Sequence, residues 1–97
     1  MTYNDFIKIT QKKTPPNELD GVHLALWYAM KDNWDMAHNI TQDINTEMAS
    51  WIHAYLHRQE GDLSNANYWY SKAKENTSSK SLDSEIDYII TYIFKDI

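Results

Sequence analysis

The stretch HAYLHRQEGDLSNANYWYSKA, residues 53–73, decides the fold of this 97-residue chain. Two runs of apolar residues with helical spacing flank the turn Gly61-Asp62. Asp62 is a good N-cap for the second run, because its short side chain accepts a hydrogen bond from the backbone of the first helical turn. The stretch therefore predicts a helical hairpin whose second helix runs to about Lys74.

The same pattern occurs earlier in the chain. Residues 21–44 align without a gap on residues 50–73, so that Ala25 matches Ala54 and Ala37 matches Ala66 at a constant offset of 29 residues. A small residue in each helix lets two crossing backbones approach within about 8–10 Å. The repeat therefore predicts a second hairpin ahead of the first.

Start signals predict six helices in all. We expect helices after Thr2, after Asn17 as far as Met30, after Asp32 to about Ile44, after Asn45 or Thr46 to about Gln59, after Asp62, and from Leu82 to about Asp96.

The last segment is ambiguous, because the β-branched and aromatic residues of IDYIITYIF suit a strand. A stripe with helical spacing favours a helix instead. That stripe consists of Leu82, Ile86, Ile89, Ile90, Ile93 and Ile97.

The composition restricts the classes of function. The net charge is −5 and the lysines are scattered, whereas a nucleic-acid-binding protein normally carries a basic stripe. The chain has no cysteine, which excludes disulfides and thiolate metal sites, and only two glycines, too few for a phosphate-binding loop. Its longest apolar run, residues 88–94, is far shorter than the roughly 20 residues of a membrane helix. No signal segment opens the chain. We expect a cytoplasmic protein without a cofactor that binds neither nucleic acid nor membrane.

The turn and the second helix of the hairpin resemble a tetratricopeptide repeat. Ala66, Tyr70 and Ala73 match the second-helix pattern of that family, and Gly61-Asp62 matches its turn. Leu24-Ala25, Tyr28 and Ala37 match it in the first repeat, so the resemblance covers roughly residues 17–74. It implies an all-α protein with one domain, residues 1–97: a short right-handed α-solenoid of two hairpins with a capping helix at each end. The chain is also similar to short bacterial proteins of no assigned function, a similarity that implies no activity.

The resemblance also implies a protein-interaction or scaffold module with a groove built by the second, fourth and sixth helices. Trp51, Tyr55 and Arg58 lie on the groove face of the fourth helix, and aromatic and arginine side chains often anchor interfaces. The alternative is that they pack on the last helix. Tyr88 and Tyr92 are expected near solvent, where they are candidates for partner contact or for a weak homodimer.

Three side chains of the fourth helix suggest a different class of function. His53, His57 and Glu60 occupy positions i, i+4 and i+7 and share one face, where two imidazoles and a carboxylate can hold a metal ion. We favour a packing role, because the repeat places both histidines against the partner helix; a third ligand, His23 or His38, would have to come from elsewhere. A small-molecule or metal-binding domain is thus the alternative function, and no nucleophile or paired-carboxylate signature favours an enzyme.

Overall fold

The computed structural model describes residues 1–95, and these form six α-helices and no strand. The helices are α1 (Tyr3–Ile9), α2 (Gly21–Met30), α3 (Trp34–Gln42), α4 (Glu47–Gln59), α5 (Leu63–Ala73) and α6 (Leu82–Ile93). The all-helical class and the number of helices are confirmed, and the ambiguous last segment is a helix. Its predicted end at Asp96, and the stripe residue Ile97, lie outside the described residues.

Capping side chains start most of the helices where the sequence predicts. Thr2 and Asp5 form a reciprocal capping box at α1, and Thr46 and Asp62 cap α4 and α5. Each cap satisfies a backbone N–H that has no partner within its own helix. Local side-chain chemistry is therefore enough to place these three helix starts.

Two predicted helix starts are wrong. The second helix begins at Gly21 after the N-cap Asp20, not at Asn17, because the chain first turns behind the prolines, with the Leu19 N–H donating to the Pro16 carbonyl. The third helix has Asn33 as its N-cap. Asp32 has φ = 59°, a left-handed conformation that closes the preceding helix rather than opening the next.

The fourth helix is the centre of the molecule. Every residue from Ala49 to His57 is buried, because α2, α3, α5 and α6 all pack around α4. The small residues that the repeat aligns are all fully buried: Ala25, Ala37, Ala54 and Ala66. The chain therefore has the two predicted hairpins, α2–α3 and α4–α5, with one of these alanines buried in each of the four helices.

The first and last helices meet each other instead of lying apart. The ring centroids of Phe6 and Phe94 are 4.9 Å apart, and the Tyr3 hydroxyl donates to the Asp87 carboxylate. The Trp27 indole N–H also donates to the Ile9 carbonyl oxygen at 2.8 Å, which ties the end of α1 to α2. A solenoid with one capping helix at each open end is therefore not confirmed.

A buried carboxylate joins α6 to both helices of the second hairpin. Glu85 is 1% exposed; it accepts a hydrogen bond from Arg58 of α4 at 2.8 Å and another from the Tyr70 hydroxyl of α5. Arg58 also donates to the Lys80 carbonyl oxygen, just before α6 begins. These bonds compensate the cost of removing the Glu85 charge from water and hold α6 against α4.

Candidate functional site

Three of the four histidines come together between the two hairpins. His53 and His57 are buried on α4, one turn apart, and α3 brings the half-buried His38 against them. One ring nitrogen from each of the three lies within 4.8 Å of the other two. We call this group the histidine cluster. His23 is not a member, because its ring lies against Phe94, with centroids 5.2 Å apart.

The two ring nitrogens of His57 face different partners, His53 on one side and Glu60 on the other. The Nε2 atoms of His53 and His57 face each other at 3.0 Å. The other nitrogen of His57, Nδ1, lies 2.7 Å from the Glu60 carboxylate. Glu60 is thus bonded to the outer nitrogen of His57, and it does not share a centre with the two facing Nε2 atoms. Of the predicted set His53, His57 and Glu60, only the histidines converge, and the third converging side chain is His38.

Two tryptophans fix the imidazole rings. Trp69 of α5 stacks on His53, with centroids 3.8 Å apart and planes 12° from parallel. Trp34 of α3 stacks on His38 at 4.7 Å and 9°, and its indole N–H donates to the Leu56 carbonyl oxygen at 2.7 Å. His53 thus lies against α5, and the stacking holds two of the three rings in place.

The interior disfavours a positive charge on two of the three histidines. Burial, and then the neighbouring His38 and His57, lower the pKa of His53 to about 4. The pKa of His38 is also lowered, by burial first and then by His57. Among the buried side-chain atoms of residues 1–95, only Nδ1 of His53 has no hydrogen-bond partner. Protein hydrogen bonds thus leave part of this buried polar group unsatisfied.

A groove lies on the opposite side of α4, between α1, α2, α4 and α6. Its volume is about 400 Å³. Apolar side chains from three of the helices line it, namely Ile7, Met30, Ile86 and Ile90, together with three carboxylates, Asp32, Asp83 and Asp87. We call it the acidic groove. The sequence predicts a groove from the second, fourth and sixth helices, and the structure adds α1.

The interface residues predicted on α4 separate into two environments. Tyr55 lines the acidic groove, and its pKa is raised to about 12 by burial and then by the negative charges of Glu85 and Asp83. Trp51 is buried under α6, with its ring 5.6 Å from those of both Tyr88 and Tyr92. Arg58 is paired with Glu85, as described above. The alternative of packing on the last helix therefore describes Trp51 and Arg58.

The two tyrosines of α6 lie on its outer side, as predicted. Tyr88 is 48% exposed and Tyr92 is 45% exposed, and each ring has a lysine ammonium over it, Lys80 at 5.3 Å and Lys95 at 4.7 Å from the centroids. We call this pair the tyrosine face. Its rings present apolar surface to solvent at the edge of a buried tryptophan, which suits a contact with another polypeptide.

Comparisons with protein-family models, with curated proteins and with solved structures find no match to the chain. The resemblance to tetratricopeptide repeats thus has no support from a relative. Among the described residues, no helix has the length and apolar character needed to cross a membrane.

Proposed function

We propose that the protein is an interaction module that binds a segment of a partner polypeptide in the acidic groove. The observation that carries this proposal is the composition of the groove, an apolar floor bordered by carboxylates. An apolar floor favours burial of aliphatic side chains, and a border of one sign selects partners of the opposite sign. The preferred segment therefore combines apolar residues with lysine or arginine.

The charge of the border supports a basic partner. Within residues 1–95, neither Asp32 nor Asp83 belongs to an ion pair, and the whole chain carries a net charge of −5. The pKa of Tyr55 is raised first by burial and then by negative charges, among which are those of Asp83 and Asp32 at the border of the groove. A cationic side chain would meet a complementary potential that salt weakens.

The residues that line the groove favour an interaction role over the small-molecule alternative. A pocket for a small ligand based on the histidine and aromatic residues would be lined by several histidines. No histidine lines the acidic groove. Its walls come from four helices, an arrangement that the resemblance to helical-repeat interaction modules also implies for three of them.

Selection from a library of random peptides displayed on phage, with the full chain as bait, tests the proposal. We expect enriched peptides to combine aliphatic residues with lysine or arginine, and to bind more weakly as the salt concentration rises. The double substitution Asp32→Asn with Asp83→Asn should reduce their affinity at least tenfold. Asparagine suits the left-handed backbone at position 32, so the fold should be retained.

The matched control is the pair Asp35→Asn with Asp43→Asn. Both residues are exposed and lie outside the groove. Asp35 occupies the first turn of α3, as Asp83 does in α6, and Asp43 is the C-cap of α3. The control removes the same charge and should bind the peptides as the wild type does. Equal binding by the groove variant and the wild type, or a selection without basic residues, would contradict the proposal.

A further inference from the structure

We propose that His38, His53 and His57 form a binding site for a divalent transition-metal ion such as Zn²⁺, with Glu60 positioning His57. The site lies on the side of α4 that faces α3 and α5, and it is independent of the acidic groove. The proposal rests on the convergence of three ring nitrogens within 4.8 Å of one another.

The spacing of the two nitrogens on α4 fits a chelate. Two imidazole nitrogens bound to Zn²⁺ at about 2.0–2.1 Å are about 2.9 Å apart at a right angle and about 3.3 Å apart in a tetrahedral site. The Nε2 atoms of His53 and His57 are 3.0 Å apart, between these two values. In the metal-free chain this contact is a hydrogen bond, in which the His53 Nε2–H donates to the Nε2 lone pair of His57. A bound ion replaces that hydrogen bond, with the His53 proton carried on Nδ1, and neither backbone has to change. The half-buried His38 closes on the ion by rotating its side chain.

The contact with Glu60 directs His57 toward the ion. The Nδ1 atom of His57 donates its proton to the Glu60 carboxylate at 2.7 Å, which leaves the lone pair on Nε2, the atom that faces His53. A carboxylate on the outer nitrogen of a metal-binding histidine selects the tautomer and the ring orientation in this way. Glu60 is therefore a positioning residue, and it does not bind the ion itself.

Packing of apolar surface does not require three imidazoles at this point. His53 is 3% exposed, and its Nδ1 atom has no partner among the described residues, so that protein contacts satisfy this imidazole only through the Nε2 atom that faces His57. The stacked rings of Trp34 and Trp69 hold His38 and His53 close together, although both would gain more hydrogen bonds in water.

The donor set indicates the class of ion. Imidazole nitrogens suit Zn²⁺, Ni²⁺ and Cu²⁺, whereas Ca²⁺ and Mg²⁺ prefer carboxylate, carbonyl and water oxygens. The chain has no cysteine to supply a thiolate. Three protein nitrogens leave the fourth position of a tetrahedral ion for water, and solvent reaches it past the half-buried His38.

Calorimetric titration of the metal-free full chain with Zn²⁺ tests the site. We expect one ion per chain. His38→Gln removes a ligand that is only half-buried, so the fold should survive, and Zn²⁺ binding should weaken at least about tenfold. Glu60→Gln should weaken it by about 10–100-fold. His23→Gln is the matched control, because it removes a histidine outside the cluster, and it should bind as the wild type does. Circular dichroism checks that each variant is folded.

The imidazole nitrogen resonances provide a second measurement that needs no substitution. Addition of Zn²⁺ should shift the ring nitrogens of His38, His53 and His57 and leave those of His23 in place. Unchanged binding in His38→Gln, an equal loss in His23→Gln, or shifts confined to His23 would each overturn the proposal. A wild-type chain that binds no Zn²⁺ at millimolar concentration would overturn it as well.

Discussion

The ring of Phe6 lies against the ring of Phe94, with centroids 4.9 Å apart and planes 33° from parallel. The first residue belongs to α1 and the second directly follows α6, so this contact joins the two ends of the described chain. Phe6 is fully buried and Phe94 is partly exposed. The end helices therefore stabilise each other, and neither is an independent cap.

A double-mutant cycle measures this contact. Phe6→Ala should lower the free energy of unfolding by about 3–5 kcal/mol, because it leaves a cavity in the core, and Phe94→Ala should lower it less. Their coupling should be about 0.5–1.5 kcal/mol, as for other aromatic pairs. Urea unfolding followed by circular dichroism gives all four values. In the control cycle of Phe6→Ala with Tyr68→Ala, on the exposed side of α5, the effects should add within about 0.5 kcal/mol.

The Glu85 carboxylate should be costly to remove. Glu85→Ala leaves the Arg58 guanidinium largely buried without its partner, and breaking such a pair on one side costs on the order of 3 kcal/mol. The additional substitution Arg58→Met should restore part of the loss, because no unpaired charge then remains. Exposed Glu75→Ala, the control, should stay within about 0.5 kcal/mol of the wild type. If the double variant loses as much free energy of unfolding as Glu85→Ala and Arg58→Met lose together, the two residues are not coupled and the prediction is wrong.

Alkaline pH should destabilise the fold through its buried tyrosines. Burial raises the pKa of Tyr55 from 10.0 to about 12, and burial with the Glu85 contact raises that of Tyr70. The folded protein thus holds these protons more tightly than the unfolded chain does. The resulting stability is present in full below pH 10 and is lost as the pH rises toward 12. For Tyr55 alone, the loss amounts to about 3 kcal/mol.

Urea unfolding at a series of pH values between 9 and 12 checks this effect. Tyr55→Phe, which has no proton to lose there, should show a smaller decline in stability across the same range. Tyr68→Phe, at an exposed position, should follow the wild type. An ultraviolet titration of tyrosinate should also show that Tyr55 and Tyr70 ionise after the exposed tyrosines. A Tyr55→Phe decline that equals the wild-type decline would contradict the assignment.

The tyrosine face is expected to support a weak homodimer. Burial of one tyrosine contributes on the order of 2 kcal/mol by its apolar area, so Tyr88→Ser with Tyr92→Ser should shift the equilibrium to monomer. Sedimentation velocity over a concentration series measures it. Tyr68→Ser, at a residue that is 55% exposed on α5, should dimerise as the wild type does. A wild type that stays monomeric at every concentration would exclude self-association through this face.

Much of the candidate histidine site lies beyond what sequence patterns predict. The i, i+4 spacing of His53 and His57 places them on one helical face, and the repeat places that face against α5. The arrival of His38 depends on how α3 crosses α4, and the contact of Glu60 with His57 depends on the rotamers that the neighbours allow. Sequence spacing suggests Glu60 as a ligand because it shares the face, yet the ring of His57 stands between it and the facing nitrogens.

The sequence by itself determined the features that depend on contacts within one helical turn. Thr2, Thr46 and Asp62 cap their helices through bonds that span three residues, and the apolar period of α6 specifies a helix over a strand. The starts of α2 and α3 differ from expectation because turns with their own backbone bonds compete with the caps there. Only the tertiary structure decided that α1 meets α6, that the acidic groove opens between them, and that three histidines converge. Each of these depends on the packing of side chains from distant parts of the chain, and local periodicity carries no information about that packing.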